Sequence, residues 1–238
     1  MIDIRPAARL LLSGDEAIAR GAYEAGVHLA TGYPGTPSTE IIEALARFPE
    51  ITVQWSANEK VALDVALGAA LGGARALCAM KHVGLNVAAD TLMTAAYTGV
   101  GGALVVVSAD DPGMHSSQNE QDNRFYARFA GIPMLEPADS EEARRFTRLA
   151  FDLSGRYDVP VLLRITTRSA HTRSVVMVEE PLRPPPGEFV PDPRKYVMLP
   201  AYARARHPVV LDRLARIAAA DDPSFAATEL RNRTVGVI

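Results

Sequence analysis

In the stretch Gln54-Trp55-Ser56-Ala57-Asn58-Glu59-Lys60-Val61-Ala62-Leu63-Asp64-Val65-Ala66-Leu67-Gly68, a short strand turns directly into an Ala-rich helix. Residues 52–55 read as strand, Asn58 can cap a helix by accepting a backbone N–H, and Glu59 falls in the first helical turn. A carboxylate is therefore expected at the carboxyl edge of a sheet. Open α/β folds bind ligands along that edge, which makes Glu59 the first candidate for chemistry. The same side chain equally suits the plain task of complementing the helix macrodipole, and this stretch alone leaves both readings open.

Outward from this corner the chain alternates between two periods. Ser13 precedes a helical pattern that stops at Gly26, and residues 27–31 follow as a short strand. Gly32-Tyr33-Pro34-Gly35-Thr36-Pro37-Ser38 forbids regular structure before residues 39–48 resume as helix. Residues 75–80 make a third strand, and Lys81-His82-Val83-Gly84-Leu85-Asn86 leads into a helix over 85–97. Residues 102–108, Gly-Ala-Leu-Val-Val-Val-Ser, are unbroken and β-branched, as a central buried strand requires. A long polar loop over 109–124 carries Asp110, Asp111, His115, Gln118, Gln121 and Asp122, and loops of that length are usually functional or mobile. A helix over 125–130, a short strand over 134–136, a helix over 140–154 capped by Asp139 and a strand over 159–166 complete the pattern. Such alternation predicts an α/β fold with a doubly wound, mostly parallel sheet.

From Pro181 the composition changes, with Pro184, Pro185, Pro186, Pro191 and Pro193 close behind, which suits an extended connector. A C-terminal helix is expected over 208–220, with Arg204, Arg206, Arg213 and Arg216 forming a solvated face. The chain thus divides into an α/β domain over 1–178, a proline-rich connector over 179–206, and a helix with the start of a further domain over 207–238. The apolar end, Arg233-Thr234-Val235-Gly236-Val237-Ile238, reads as a strand still lacking its neighbours.

Composition excludes several classes. A net charge of −3 gives no footprint for a nucleic acid. A single Cys78, set in an apolar run, rules out an internal disulfide and a cluster held by this chain's thiolates alone. Residues 1–6 lack a signal-peptide apolar region, so a cytoplasmic protein is expected. The apolar stretch over 83–109 is interrupted by Asn86, Asp90 and the glycines at 99–102, which argues against a membrane span. Gly99-Val100-Gly101-Gly102 precedes a strand rather than following one, and neither a phosphate loop nor a G-x-S-x-G elbow occurs. His28, His82, His115, His171 and His207 lack the spacing of a metal motif, so no metal-ligating residues are assigned. What remains is a set of strand-end corners whose side chains should converge on one crevice: 33–38, Asn58-Glu59, 81–86 and 110–124.

Those corners, Tyr33-Pro34-Gly35-Thr36-Pro37-Ser38, Asn58-Glu59-Lys60-Val61-Ala62, Lys81-His82-Val83-Gly84-Leu85-Asn86 and Ser108-Ala109-Asp110-Asp111-Pro112 with 118–124, follow an order and spacing that resembles one family. It is the pyrimidine-binding domain of thiamine diphosphate-dependent 2-oxoacid:ferredoxin oxidoreductases, and within it the alpha subunits of the indolepyruvate branch. The resemblance covers roughly residues 10–175 and weakens toward the end. It implies oxidative decarboxylation of a 2-oxoacid to an acyl-coenzyme A, with electrons leaving through iron–sulfur clusters to ferredoxin. It implies Glu59 as the catalytic carboxylate on the aminopyrimidine ring. Tyr33, Pro34, Gly35, Thr36 and Asn86 would join Glu59 in binding the cofactor. Thr36, Lys81, His82 and His115 would contact the substrate, although a solvent-facing lysine, a structural histidine and ordinary loop polarity are equally open readings.

The sequence also departs from a complete enzyme of that kind. The family holds the diphosphate and Mg2+ with a G-D-G…N motif, whereas Gly14-Asp15 is the one Gly-Asp pair here and opens a helix. No cysteine clusters are present. The expected partners are therefore a diphosphate-binding domain or subunit, domains holding the clusters, ferredoxin, the 2-oxoacid and coenzyme A, in a homo-dimer or hetero-oligomer, and the chain alone is expected to be inactive. Ser108-Ala109-Asp110-Asp111 stands where some pyruvate-class relatives place an arginine, which leans toward an aryl-pyruvate substrate. Two other readings stay open: a subunit of a non-oxidative 2-oxoacid decarboxylase, and an assembly module of the same fold without turnover.

Overall fold

The central strand is β5, Ala103–Asp110, and all eight of its residues are buried. A strand covered on both faces must be flanked by helices on both sides, and the computed structural model, which describes residues 8–220, shows that arrangement. Six parallel strands lie in the order β3-β2-β4-β5-β7-β6. They are β2 (Leu29–Gly32), β3 (Thr52–Trp55), β4 (Arg75–Lys81), β5, β6 (Met134–Leu135) and β7 (Val161–Thr166). Helices α1 (Gly14–Glu24), α2 (Thr39–Leu45) and α6 (Ser140–Tyr157) share one core with Leu77, Val105, Val107, Leu163 and Ile165. Helices α3 (Glu59–Leu71), α4 (His82–Thr98) and α5 (Arg124–Ala130) share the other, with Cys78, Met80, Leu104, Val106 and Leu162. Successive strand residues thus feed opposite cores, as the pleat dictates.

The helices begin where their caps predict. Ser13 and Glu16 form a reciprocal capping box on α1, the Asn58 side chain accepts from Val61 N at 2.9 Å on α3, and Asp139 accepts from Glu142 N at 2.8 Å on α6. Thr31 Oγ1 donates to Ala62 O at 2.8 Å, which fastens α3, and with it Glu59, to the end of β2.

Four features differ from the sequence reading. A separate antiparallel pair joins β1 (Arg9–Ser13) to β8 (Arg173–Met177), with the short helix α7 (Thr167–His171) before it. Helix α4 starts at His82 rather than residue 85, because Lys81 supplies the extended cap residue and β4 passes straight into the helix. The C-terminal helix α9 spans Pro200–Ala218 instead of 208–220: Pro200 opens it, where a missing N–H is harmless, and Pro208 lies inside it. Its arginines are not all solvated. Arg213 is buried and donates to Ala96 O and to Asp158, and Arg206 donates to Tyr97 O, so these two fasten α9 to α4. The expected features at 1–6 and 233–238 lie outside the described residues.

Between Val178 and α8, a single turn over Pro193–Tyr196, the proline-rich segment has no regular structure. It runs past the amino ends of β2 and β4, where Pro184 O meets His28 Nε2 at 2.9 Å and Gly187 N donates to Gly73 O at 2.8 Å. The carboxyl edge of the sheet is left clear of it. No helix of the described residues is long and apolar enough to cross a membrane.

Phe151 of α6 is the largest fully buried side chain, and it joins α6 to the α1 face of the sheet. Phe151→Ala is expected to cost about 3–5 kcal/mol in urea-induced unfolding, and a loss below about 1 kcal/mol would contradict this packing.

Candidate functional site

Because β2 and β3 extend the sheet one way while β4 and β5 extend it the other, the strand order reverses between β2 and β4. The crevice of such a fold lies there, at the carboxyl ends. After β2, residues 33–38 form a tight loop: Ser38 N and Ser38 Oγ both donate to Gly35 O, Gly35 N donates to Thr39 Oγ1, and the Thr36-Pro37 peptide is cis. Tyr33, Pro34 and Thr36 face outward. Gly35 touches β4, since a Cβ there would lie 3.1 Å from the Lys81 Cβ. The loop after β2 thus rests on the end of β4.

Glu59, half-buried at the start of α3, reaches across to the first turn of α4. It packs on Gly84, where a Cβ would come within 2.5 Å of its Cγ and Oε1. Glycine is required at that point for this side-chain position. Among the described residues, no group donates a hydrogen bond to the Glu59 carboxylate, whereas Asp110, Asp111 and Asp122 beside it each have donors. Beneath it Cys78 is inert: burial pushes its thiol up to about 12, the Thr31 hydroxyl pulls it down in part, and the Glu59 charge raises it further.

The end of β4 and the start of α4 hold the long loop between β5 and α5. Lys81 Nζ donates to Ser116 O at 2.7 Å, and buried His82 donates through Nε2 to Asn119 O at 3.2 Å. Asn86 exchanges two hydrogen bonds with the Gln121 amide and accepts from the Tyr126 hydroxyl at 2.6 Å. Asn123 donates to His82 O and Ser108 Oγ. Fully buried Asp110 accepts from Asn123 N, Ser108 Oγ and Arg164 Nε, and Arg164 also bonds Glu136. Asp111 accepts from Ser116 N, Ser117 Oγ and Thr167 Oγ1. Burial alone would raise its carboxyl, but these donors outweigh that and hold it well below the usual carboxylate range.

The structure therefore brings Gly35, Lys81, Glu59 and Gly84 to one corner and hangs Asn86 and His82 beside it. His115 stands apart, lining a cavity of about 400 Å3 beyond β7 with Pro112, Thr166, Thr167 and Arg168. Sequence reasoning missed Gly84, Asn123 and Arg164. Gly84 could have been found from its place in the first turn of a helix whose neighbour offers a carboxylate. Arg164 gives no such signal, because its partners come from β5 and from the segment after β6.

The sequence matches the family model described as pyruvate flavodoxin/ferredoxin oxidoreductase, thiamine diP-bdg, over residues 20–221. It is 48% identical over 228 residues to the indolepyruvate oxidoreductase subunit IorA of Methanothermobacter thermautotrophicus, which covers 94% of this chain and 37% of that protein. Against the 2-oxoglutarate synthase subunit KorA of Methanothermobacter marburgensis, identity is 30% over 198 residues, 76% of this chain and 52% of that one. A solved 2-oxoglutarate:ferredoxin oxidoreductase from Magnetococcus marinus shares the fold, with a TM-score of 0.72 at 17% identity over 88% of this chain and 45% of its own. The chain spans about a third of the length of the IorA relatives it matches.

Because the folded-state pKa of Asp111 lies below its unfolded value, the stability it lends the loop is present above about pH 4 and lost as the pH falls further. Hydrogen exchange of residues 112–119 is expected to accelerate on acidification through that range. Asp111→Asn is expected to show the fast exchange already at pH 7; protection unchanged in the variant would contradict the anchoring.

Proposed function

The chain belongs to the thiamine diphosphate-binding family of pyruvate flavodoxin/ferredoxin oxidoreductases, and from that premise we propose that it is the pyrimidine-binding part of an oxidoreductase for indolepyruvate or another aryl-pyruvate. The observation that carries this reading is the placement of Glu59: a carboxylate without a donor, half-buried at the sheet's switch point and seated on a glycine.

That corner fits an aminopyrimidine. The Glu59 carboxylate can hold a proton and share it with a ring nitrogen, and a glycine at 84 keeps its Oε1 against the first turn of α4. When bound, thiamine diphosphate supplies a carbon nucleophile for a 2-oxoacid carbonyl. Around it the chain's own residues position and enclose. Tyr33, Pro34, Gly35 and Thr36 form one wall, with the exposed Thr36 hydroxyl available to substrate. Asn86 would face the cofactor from α4. Lys81 and His82 act through the backbone of the loop they hold, which orders a cover over the crevice and helps exclude water, while His115, which lines the separate cavity beyond β7, is not given the substrate contact the resemblance implied.

The arginine in register with Ser108, Arg164, is buried and neutralised by Asp110 and Glu136. It is therefore not available for the carboxylate that every 2-oxoacid carries, and the aryl-pyruvate reading rests on the IorA likeness. Gly14-Asp15-Glu16 serves as a helix start, so the diphosphate and Mg2+ are assigned to another domain or chain. The same partner assembly would carry the iron–sulfur clusters, receive coenzyme A and reduce ferredoxin. On this reading residue 178 ends the half-site, whereas the expected boundary at 206 falls inside α9, so the connector stops at the helix start, Pro200.

In the complete enzyme, Glu59→Gln is expected to lower kcat by about a hundredfold or more, with assembly unchanged by size-exclusion chromatography. Gly84→Ala, which drives a methyl group into Glu59, should lower turnover in the same direction. Full turnover in Glu59→Gln would overturn the proposal.

A further inference from the structure

Away from the Glu59 corner, one buried carboxylate has nothing to bond among the described residues. Asp15, on the first turn of α1, is 1% exposed, and neither carboxylate oxygen has a hydrogen-bond partner among the described residues. An isolated carboxylate removed from water carries a heavy desolvation cost unless a charge or a ligand compensates it. Protonation alone does not resolve this: burial, followed by the charges of Glu40 and Glu16, pushes its carboxyl up to about 8, but the neutral acid would then hold an O–H with no acceptor.

Two further donors face it. Glu40 stands on the first turn of α2 and His171 ends α7, and one ligand atom from each lies within 4.8 Å of the others and of Asp15. The approach is built by backbone. Gly14 lies so close to α7 that a Cβ would sit 2.1 Å from Ser169 O, and this contact is what carries His171 to the start of α1. The three side chains share a cavity of about 280 Å3 with two further acids, Glu16 and Glu43. Arg47 and Arg173 line its rim, but neither donates to Asp15, and the nearest acid to Arg47 is Glu16 at 3.9 Å.

We propose that Asp15, Glu40 and His171 form a binding site for one divalent cation of the Zn2+ or Mn2+ kind. Two carboxylates and an imidazole without a thiolate make a donor set of borderline hardness, and three protein ligands leave coordination positions for water. The ion would supply the bonds that both Asp15 oxygens lack. It would tie α1, α2 and α7 together at a place no local ligand spacing could reveal, since the three residues come from three distant segments. This site is independent of the Glu59 corner and of the thiamine reading.

The test uses the 238-residue chain stripped with a chelator and titrated with Mn2+ alone, with free Mn2+ read by electron paramagnetic resonance and stability by thermal unfolding. One saturable equivalent is expected, displaced by Zn2+, with Tm rising on binding. Asp15→Asn should weaken binding at least about tenfold and abolish the rise in Tm. Glu40→Gln and His171→Gln alter exposed side chains, so they keep the test decisive if the buried variant fails to fold. Absence of saturable binding, or equal affinity in the wild type and the two exposed variants, would overturn the site.

Discussion

A parallel strand can return only by crossing a face of the sheet, so all of its neighbours leave the core at one edge and their loops must meet there. Everything described at the candidate site follows from this constraint acting on six short strands. The sheet delivers the ends of β2, β3, β4 and β5 to one rim, and the caps on α1, α3 and α6 decide where each helix starts relative to that rim. Glu59 is placed to within a residue by Asn58, and α3 is pinned to β2 by one buried hydroxyl, Thr31.

The rim then separates its charges into two kinds. Removing an ion from water costs several kcal/mol even after relaxation, so a buried acid survives only when donors surround it. Asp110 and Asp111 meet that condition, and between them they fix both ends of the loop that Lys81 and His82 hold in the middle. Glu59 is only half-buried and has no donor, so its carboxylate is left available for an external partner. Asp15 violates the condition outright: it is as buried as Asp110 and has nothing to bond. The contrast between Asp15 and Asp110, two acids of equal burial in one chain, is what singles out the former.

Much of the architecture was legible because its signals are local. A β-branched run is visible in residues 105–107, and Ser13, Asn58 and Asp139 announce helices whose caps the structure reproduces. The β1–β8 pair was not legible, since Arg9–Ser13 finds its partner across almost the whole domain and shows no clear alternation of its own. The early start of α9 was hidden by Pro208, which reads as a helix boundary when it is in fact tolerated inside one. Within the site, Glu59 and the 33–36 loop could be picked out by their positions after strands. The attachments of Lys81 and His82 could not, because the acceptors are backbone carbonyls of a loop, and a carbonyl carries no residue identity.

The two margins of the six-stranded sheet carry a further consequence. One is β6, only two residues long, and the other is β3, four residues whose outer end carries the half-exposed Trp55. Neither offers the long unpaired ladder on which a second chain could template itself. The six-stranded sheet is in this way guarded against runaway edge-to-edge polymerisation, and a companion that meets this sheet has to do so through its helix faces and loops, whose shapes are particular enough to choose one companion over another.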